Sequence, residues 1–130
     1  MEDSIFTKII KGELPCHKVY EDDRTLAFLD IHPIRPGHVL VIPKVQVDHL
    51  WDLTGEDYQA VMNTVRKVAH RIQEVLQPVR VGSHVAGLDV PHAHVHVFPF
   101  DSMEEFWVKP DAESEPDHDA LAAMAAKLAF

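Results

Sequence analysis

Three histidines, His92, His94 and His96, alternate with Ala93, Val95 and Val97 between Pro91 and Pro99. Alternation of this kind is the period of a β-strand, so the three rings are expected on one face. At about 3.3 Å per residue, neighbouring rings would stand roughly 6–7 Å apart. Rings at that spacing can converge on one small anion such as a phosphate, and a neutral imidazole can attack its phosphorus. The same pattern fits two other readings: a transition-metal site, or a solvated strand face in a chain with 10 histidines. The flanking prolines suit the ends of a strand, because proline cannot donate to an interior ladder.

The rest of the chain supplies elements to hold that strand. Ser4 stands ahead of Ile5, Phe6, Ile9 and Ile10, with Gly12 after them, which predicts a short capped helix. Lys18 to Glu21 and Thr25 to Asp30 read as a hairpin around Asp22-Asp23-Arg24, and His38 to Ile42 as a nearly continuous apolar strand ended by Pro43. Between them, Ile31 to Gly37 carries two prolines and a glycine and reads as a rigid turn. Thr54 caps a long helix from about Gly55 to Gln77, with Val61, Val65, Val68 and Ile72 at helical spacing. Val79 to Val85 is a fourth strand, and the histidine strand completes five. The expected fold is α+β: a five-stranded antiparallel sheet with one long helix and a short N-terminal helix. Residues 1–100 form the expected functional core. Residues 101–130 form an acidic extension with Pro110 and Pro116, ending in an Ala-rich helix.

Composition narrows the function classes. The chain has 130 residues and a net charge of −9, with no Lys/Arg block, which argues against a nucleic-acid partner. One phosphate needs only a few local donors, so a nucleotide remains open. The single cysteine, Cys16, cannot form an internal disulfide and reads as a structural thiol in a reducing compartment. No membrane-length apolar run is present, and the expected location is cytoplasmic.

The segment His92-Ala93-His94-Val95-His96-Val97-Phe98 resembles the signature of the histidine-triad (HIT) family of nucleotide hydrolases and transferases. Three further stretches match that family in order and spacing: Ile5-Phe6-x-x-Ile9-Ile10, Leu26 to Ile31, and Gly37 to Lys44. The resemblance covers nearly all of residues 4–100 and is strongest to the nucleoside phosphoramidase branch. It implies that His94 attacks the α-phosphorus of a nucleotide conjugate and forms a nucleotidyl-histidine, which water then releases as a nucleoside monophosphate. His92 and His96 would bind and orient the phosphate or the nucleophile, and His38 would support them. Asp30 would hold the ribose, and Ile5, Phe6, Ile9, Phe28 and Ile31 would sandwich a purine base. Crowding of the histidines is one way to keep the nucleophile unprotonated near neutral pH.

Some positions depart from the pattern. The loop before the triad lacks the Asn found in many relatives, and Leu88 stands where Gln is frequent. Ser83, His84 and Asp89 are the candidates to replace them at the leaving group. His96, rather than the Gln of the transferase branch, favours hydrolysis. No metal or other cofactor is expected: where bacterial relatives place zinc-binding Cys and His, this chain has Ser4, Thr7 and Gln46, poor zinc ligands. The resemblance also implies a homodimer. A dinucleoside-polyphosphate or nucleotidyl-sulfate hydrolase, a purine nucleotide-binding module with little turnover, and a metal-dependent hydrolase are the competing functions.

Overall fold

The computed structural model describes residues 2–130. Ser4 caps α1 (Ile5–Ile10), its hydroxyl accepting a hydrogen bond from the Thr7 amide. β1 (Lys18–Glu21) and β2 (Thr25–Leu29) form the hairpin, closed by Asp22, whose Oδ1 accepts from the Arg24 and Thr25 amides. β3 (Val39–Pro43) follows, then α2 (Gly55–Leu76), capped by the Thr54 hydroxyl and ended by left-handed Gln77 ahead of Pro78. β4 (Arg80–His84), β5 (Val95–Phe100), α3 (Met103–Phe106) and α4 (His118–Leu128) complete the chain.

The strands form one sheet in the order β1-β2-β3-β5-β4, antiparallel at every pairing. The fold is therefore the expected α+β arrangement. Strand alternation sorts the core into two layers. Ala27, Leu29, Val39, Val41, Val95 and Val97 meet Val61, Val65, Val68 and Ile72 of α2 on one face. Leu26, Phe28, Leu40 and Ile42 meet Phe6 of α1 on the other. Both faces are covered, which is why β3 reads as an unbroken apolar run. α4 adds Leu121, Ala125 and Leu128 to the α2 layer, and Arg71 on α2 donates to the carbonyls of Lys127, Leu128 and Ala129 at its end. Among the described residues no helix is long and apolar enough to cross a membrane.

The histidine stretch is not one continuous strand. β5 begins at Val95, because the His92 amide donates to the Val90 carbonyl and the Ala93 amide to the Val47 carbonyl, away from any ladder. Pro99 lies inside β5 rather than at its end. It pairs with Val81 of β4, while on the other side β3 stops opposite Val97, so its missing N–H leaves no gap in that ladder.

Candidate active site

His38 and His96 project from the sheet face that carries Leu40, one at the entry to β3 and one on β5. Gly37, with φ +97°, turns the chain into β3 and fits closely: a Cβ there would come 2.6 Å from Leu76 Cδ1. Just beyond the paired ends of β2 and β3, the Asp30 amide donates to the His38 carbonyl, which brings Asp30 beside the ring. Asp30 Oδ2 lies 3.7 Å from His38 Nε2 and 4.0 Å from His96 Nδ1. Its Oδ1 accepts from the His32 amide at 2.9 Å. These residues line a cleft of about 640 Å³, with His84 and Asp89 on the same wall and Phe106 to Pro110 opposite. That volume is in the range of sites for small organic ligands.

Hydrogen bonds determine which ring nitrogen carries each proton. The Ile34 amide donates to His38 Nδ1 at 3.0 Å, so neutral His38 holds its proton on Nε2. That Nε2–H donates to His96 Nδ1 at 2.9 Å, which leaves the proton of His96 on Nε2. His94 is set the other way: its Nδ1–H donates to the His92 carbonyl at 2.7 Å, leaving the Nε2 lone pair free. The His94 and His96 rings are 5.2 Å apart between centroids. Side by side, they offer a nucleophilic lone pair and a hydrogen-bond donor.

Burial keeps His38 and His96 neutral. His38 and His96 are each pushed down to about 3, first by loss of solvent and then by neighbouring histidines. His84 and His92 are lowered as well, with burial again the largest cause. Mutual repulsion, the cause expected from the crowded sequence, comes second. Burial raises Asp30.

A stability prediction follows from the sign of these shifts. His38 and His96 take up protons near pH 6.5 when unfolded but only near 3 when folded. Their contribution is thus complete above about pH 6.5 and is lost as pH falls toward 3. Raised Asp30 acts in the opposite sense, stabilising below its ordinary range, but it is one group against two. Between pH 6.5 and 5, unfolding free energy should drop by about 2–4 kcal/mol. Thermal melts across that interval check this, and a flat profile would show that the rings are not held neutral.

The three candidate ligand atoms of Asp30, His38 and His96 lie within 4.8 Å of one another, a spacing that invites a metal reading. The tautomers oppose it. A neutral imidazole has one lone pair, and that of His38 is already taken at Nδ1 by the Ile34 amide. Binding an ion through Nε2 would set two N–H groups against each other. In this tautomer His38 offers no lone pair at Nε2 to an ion.

His92 is placed differently from its neighbours. It is fully buried, its Nε2–H donating to the Pro43 carbonyl at 2.8 Å and its Nδ1 accepting from the Ser4 hydroxyl at 2.8 Å. Gln46 Oε1 accepts from the Ser4 amide and from the Thr7 hydroxyl, closing a network among Ser4, Thr7, Gln46 and His92. This network ties α1 to the chain after β3 and to the approach to β5. Neither nitrogen of His92 is left for a phosphate; of the two parts expected for it, binding the phosphate or orienting the nucleophile, its geometry matches the second, its carbonyl accepting from His94 Nδ1.

Other expected site residues are also redistributed. Phe6 and Phe28 are 6% and 4% exposed, and Phe6 packs edge-on against His92 and His94. Ile9 packs in the same buried cluster, whereas Ile5 is exposed. Ile31 lies in a separate crevice with Pro33, Leu121 and Met124. Ser83 is one position out of phase with His84 and projects to the opposite face, while Asp89 lines the cleft.

Of the three leaving-group candidates, His84 is the cross-strand partner of His96, with ring centroids 4.4 Å apart, a pairing visible only once the register of β4 and β5 is known. One contributor escaped the sequence reading: the wall from Phe106 to Ala112. Gly82 admits it: a Cβ there would stand 2.8 Å from the Phe100 ring and 3.2 Å from the Phe106 ring. The acidic composition of residues 101–119 hid the aromatic pair Phe106-Trp107.

The HIT domain family model matches residues 11–103, most of the chain. The chain belongs to the HIT family. Among its HIT relatives, the adenosine 5′-monophosphoramidase hnt1 of Schizosaccharomyces pombe is 38% identical over 96 residues, 73% of this chain and 72% of that protein. The adenylylsulfatase HINT3 of Arabidopsis thaliana is 33% identical over 111 residues, 81% of this chain and 56% of that protein. The crystal structure of a Hit-like protein from Bartonella henselae superposes with a TM-score of 0.85 at 31% identity, covering 97% of this chain and 93% of the other.

Proposed function

We propose that this HIT protein hydrolyses nucleotide conjugates, nucleoside 5′-phosphoramidates among them, at the α-phosphate. The opposed tautomers of His94 and His96 carry this reading. His94 Nε2 attacks phosphorus and the bond to the leaving group breaks, giving a nucleotidyl-histidine. His96 Nε2–H, held by His38 and the Ile34 amide, donates to a phosphoryl oxygen or to the departing atom as negative charge develops. Water then displaces His94 and a nucleoside monophosphate leaves, so one hard displacement becomes two easier ones. His84, packed 4.4 Å from His96 between ring centroids, holds that ring in place. The relatives named as a phosphoramidase and an adenylylsulfatase support an α-phosphate reaction. Release of AMP from adenosine 5′-phosphoramidate in excess chelator tests the proposal. No release, with AMP still bound, would leave a nucleotide-binding module.

Asp30 is assigned to the ribose. Its Oδ1 is engaged by the His32 amide, and Oδ2 at the cleft is free to accept from the 2′- and 3′-hydroxyls. A 2′-deoxy sugar, or Asp30→Ala, should cost about 1–3 kcal/mol, roughly 5- to 150-fold in affinity. Calorimetric titration with AMP and dAMP measures this. Equal affinity of the parent for both would remove the assignment.

A further inference from the structure

Resting on that reading, we infer that the segment from Phe106 to Ala112, through Lys109, selects substrates whose leaving group is anionic, a sulfate or a second phosphate. The two walls of the cleft differ in origin. Asp30, His38, His84, Asp89 and His96 lie within the residues matched by the family model, whereas Phe106 to Ala112 lie beyond its end at residue 103. The wall facing the histidines thus lies outside the stretch that the HIT model describes, and it is where a leaving group can be discriminated.

That wall is anchored. Phe106 packs 5.2 Å from both Phe98 and Phe100 over Gly82. Glu105 pairs with Arg35 at 3.2 Å, and His32 Nε2 lies 3.1 Å from the Ser114 carbonyl. Between these ties the chain presents Trp107, 73% exposed, and Lys109.

Charge gives the chemistry. Burial holds His38 and His96 neutral, so the triad itself brings little positive charge to a phosphate. Asp30 and Asp89 on the same wall are acidic. Among the described residues lining the cleft, Lys109 is the one Lys or Arg. A sulfate or phosphate leaving beside His96 would meet two carboxylates with no compensating cation if Lys109 were removed. An uncharged amine leaving group has no such need. Trp107, beside Lys109, gives an apolar ring on which a second base can stack when the leaving group is a nucleotide.

The experiment compares kcat/KM for adenosine 5′-phosphoramidate, adenosine 5′-phosphosulfate and diadenosine triphosphate. The parent, Lys109→Ala, Lys109→Glu, Lys109→Arg and Trp107→Ala are used; both side chains are exposed, so folding should survive. The ratio of each anionic substrate to the phosphoramidate should fall about five-fold in Lys109→Ala, about twenty-fold in Lys109→Glu, and recover in Lys109→Arg. The effect should shrink at high salt. A fall for phosphosulfate alone identifies sulfate as the source, and a fall for diadenosine triphosphate alone, deepened by Trp107→Ala, identifies a second nucleotide. Unchanged ratios overturn the inference. Binding decides it separately from catalysis: Lys109→Glu should weaken ADP more than AMP by a similar factor. If the parent turns over none of the three, the hydrolase reading fails, while equal weakening of ADP and AMP would overturn the role of Lys109.

Discussion

His94→Ala should lower turnover by three or more powers of ten while changing nucleotide affinity much less. The proton of His94 sits on Nδ1, donated to the His92 carbonyl, so Nε2 is the only lone pair the ring can offer phosphorus. Alanine removes that lone pair and with it the covalent route. The donor on His96 survives, because its tautomer is set through His38 by the Ile34 amide and not by His94. Phosphate binding should therefore persist, as should any residual rate from positioning alone. The ring is only 4% exposed and packs between Phe6 and His96, so a melt must accompany the rate to show that the variant is folded. Rapid quench with a labelled AMP conjugate, followed by peptide mapping, gives the direct test. A label on any residue other than His94, or near-normal turnover by folded His94→Ala, would refute the mechanism.

His92→Ala should act on stability instead. The substitution leaves the Ser4 hydroxyl and the Pro43 carbonyl without the ring that joins them, and opens a cavity beside Phe6. A buried group left unsatisfied costs about 1–3 kcal/mol, and the lost packing adds to it. A loss of about 3 kcal/mol is expected, or roughly 10 °C in Tm for a chain of this size. Hydrogen exchange should loosen at the start of α1 and in the chain after β3, since Ser4, Gln46 and His92 bind these segments to one another. If His92→Ala kept the parent Tm and lost only phosphate affinity, the ring would have to face the substrate and this placement would be wrong.

His92 and His96 separate what pattern can reveal from what packing decides. Local rules marked the helices by their caps, Ser4 and Thr54, because a cap is made within four residues of the chain. The hairpin at Asp22 and the α+β order were readable for the same reason: turn chemistry and periodicity are short-range. The triad itself, with His38 and Asp30, stood out because a resemblance in residue type and spacing survives in the linear chain.

The direction in which each ring points did not. Period-two alternation put His92, His94 and His96 on one face, but two backbone amides bond to Val90 and Val47 and leave His92 and His94 outside the strand, which begins at Val95. The bond to Val47 spans 46 residues and leaves no trace in local pattern. Long-range register likewise placed His84 on His96. A missing side chain at Gly82 let Phe106 dock, turning an acidic tail into a wall of the cleft. The proton positions depend on a backbone donor, the Ile34 amide, which every residue but proline possesses and which therefore carries no signature. Residue types supplied an imidazole cluster able to work on phosphate. Tertiary contacts decided which ring offers a lone pair, which offers a proton, and which only holds the protein together.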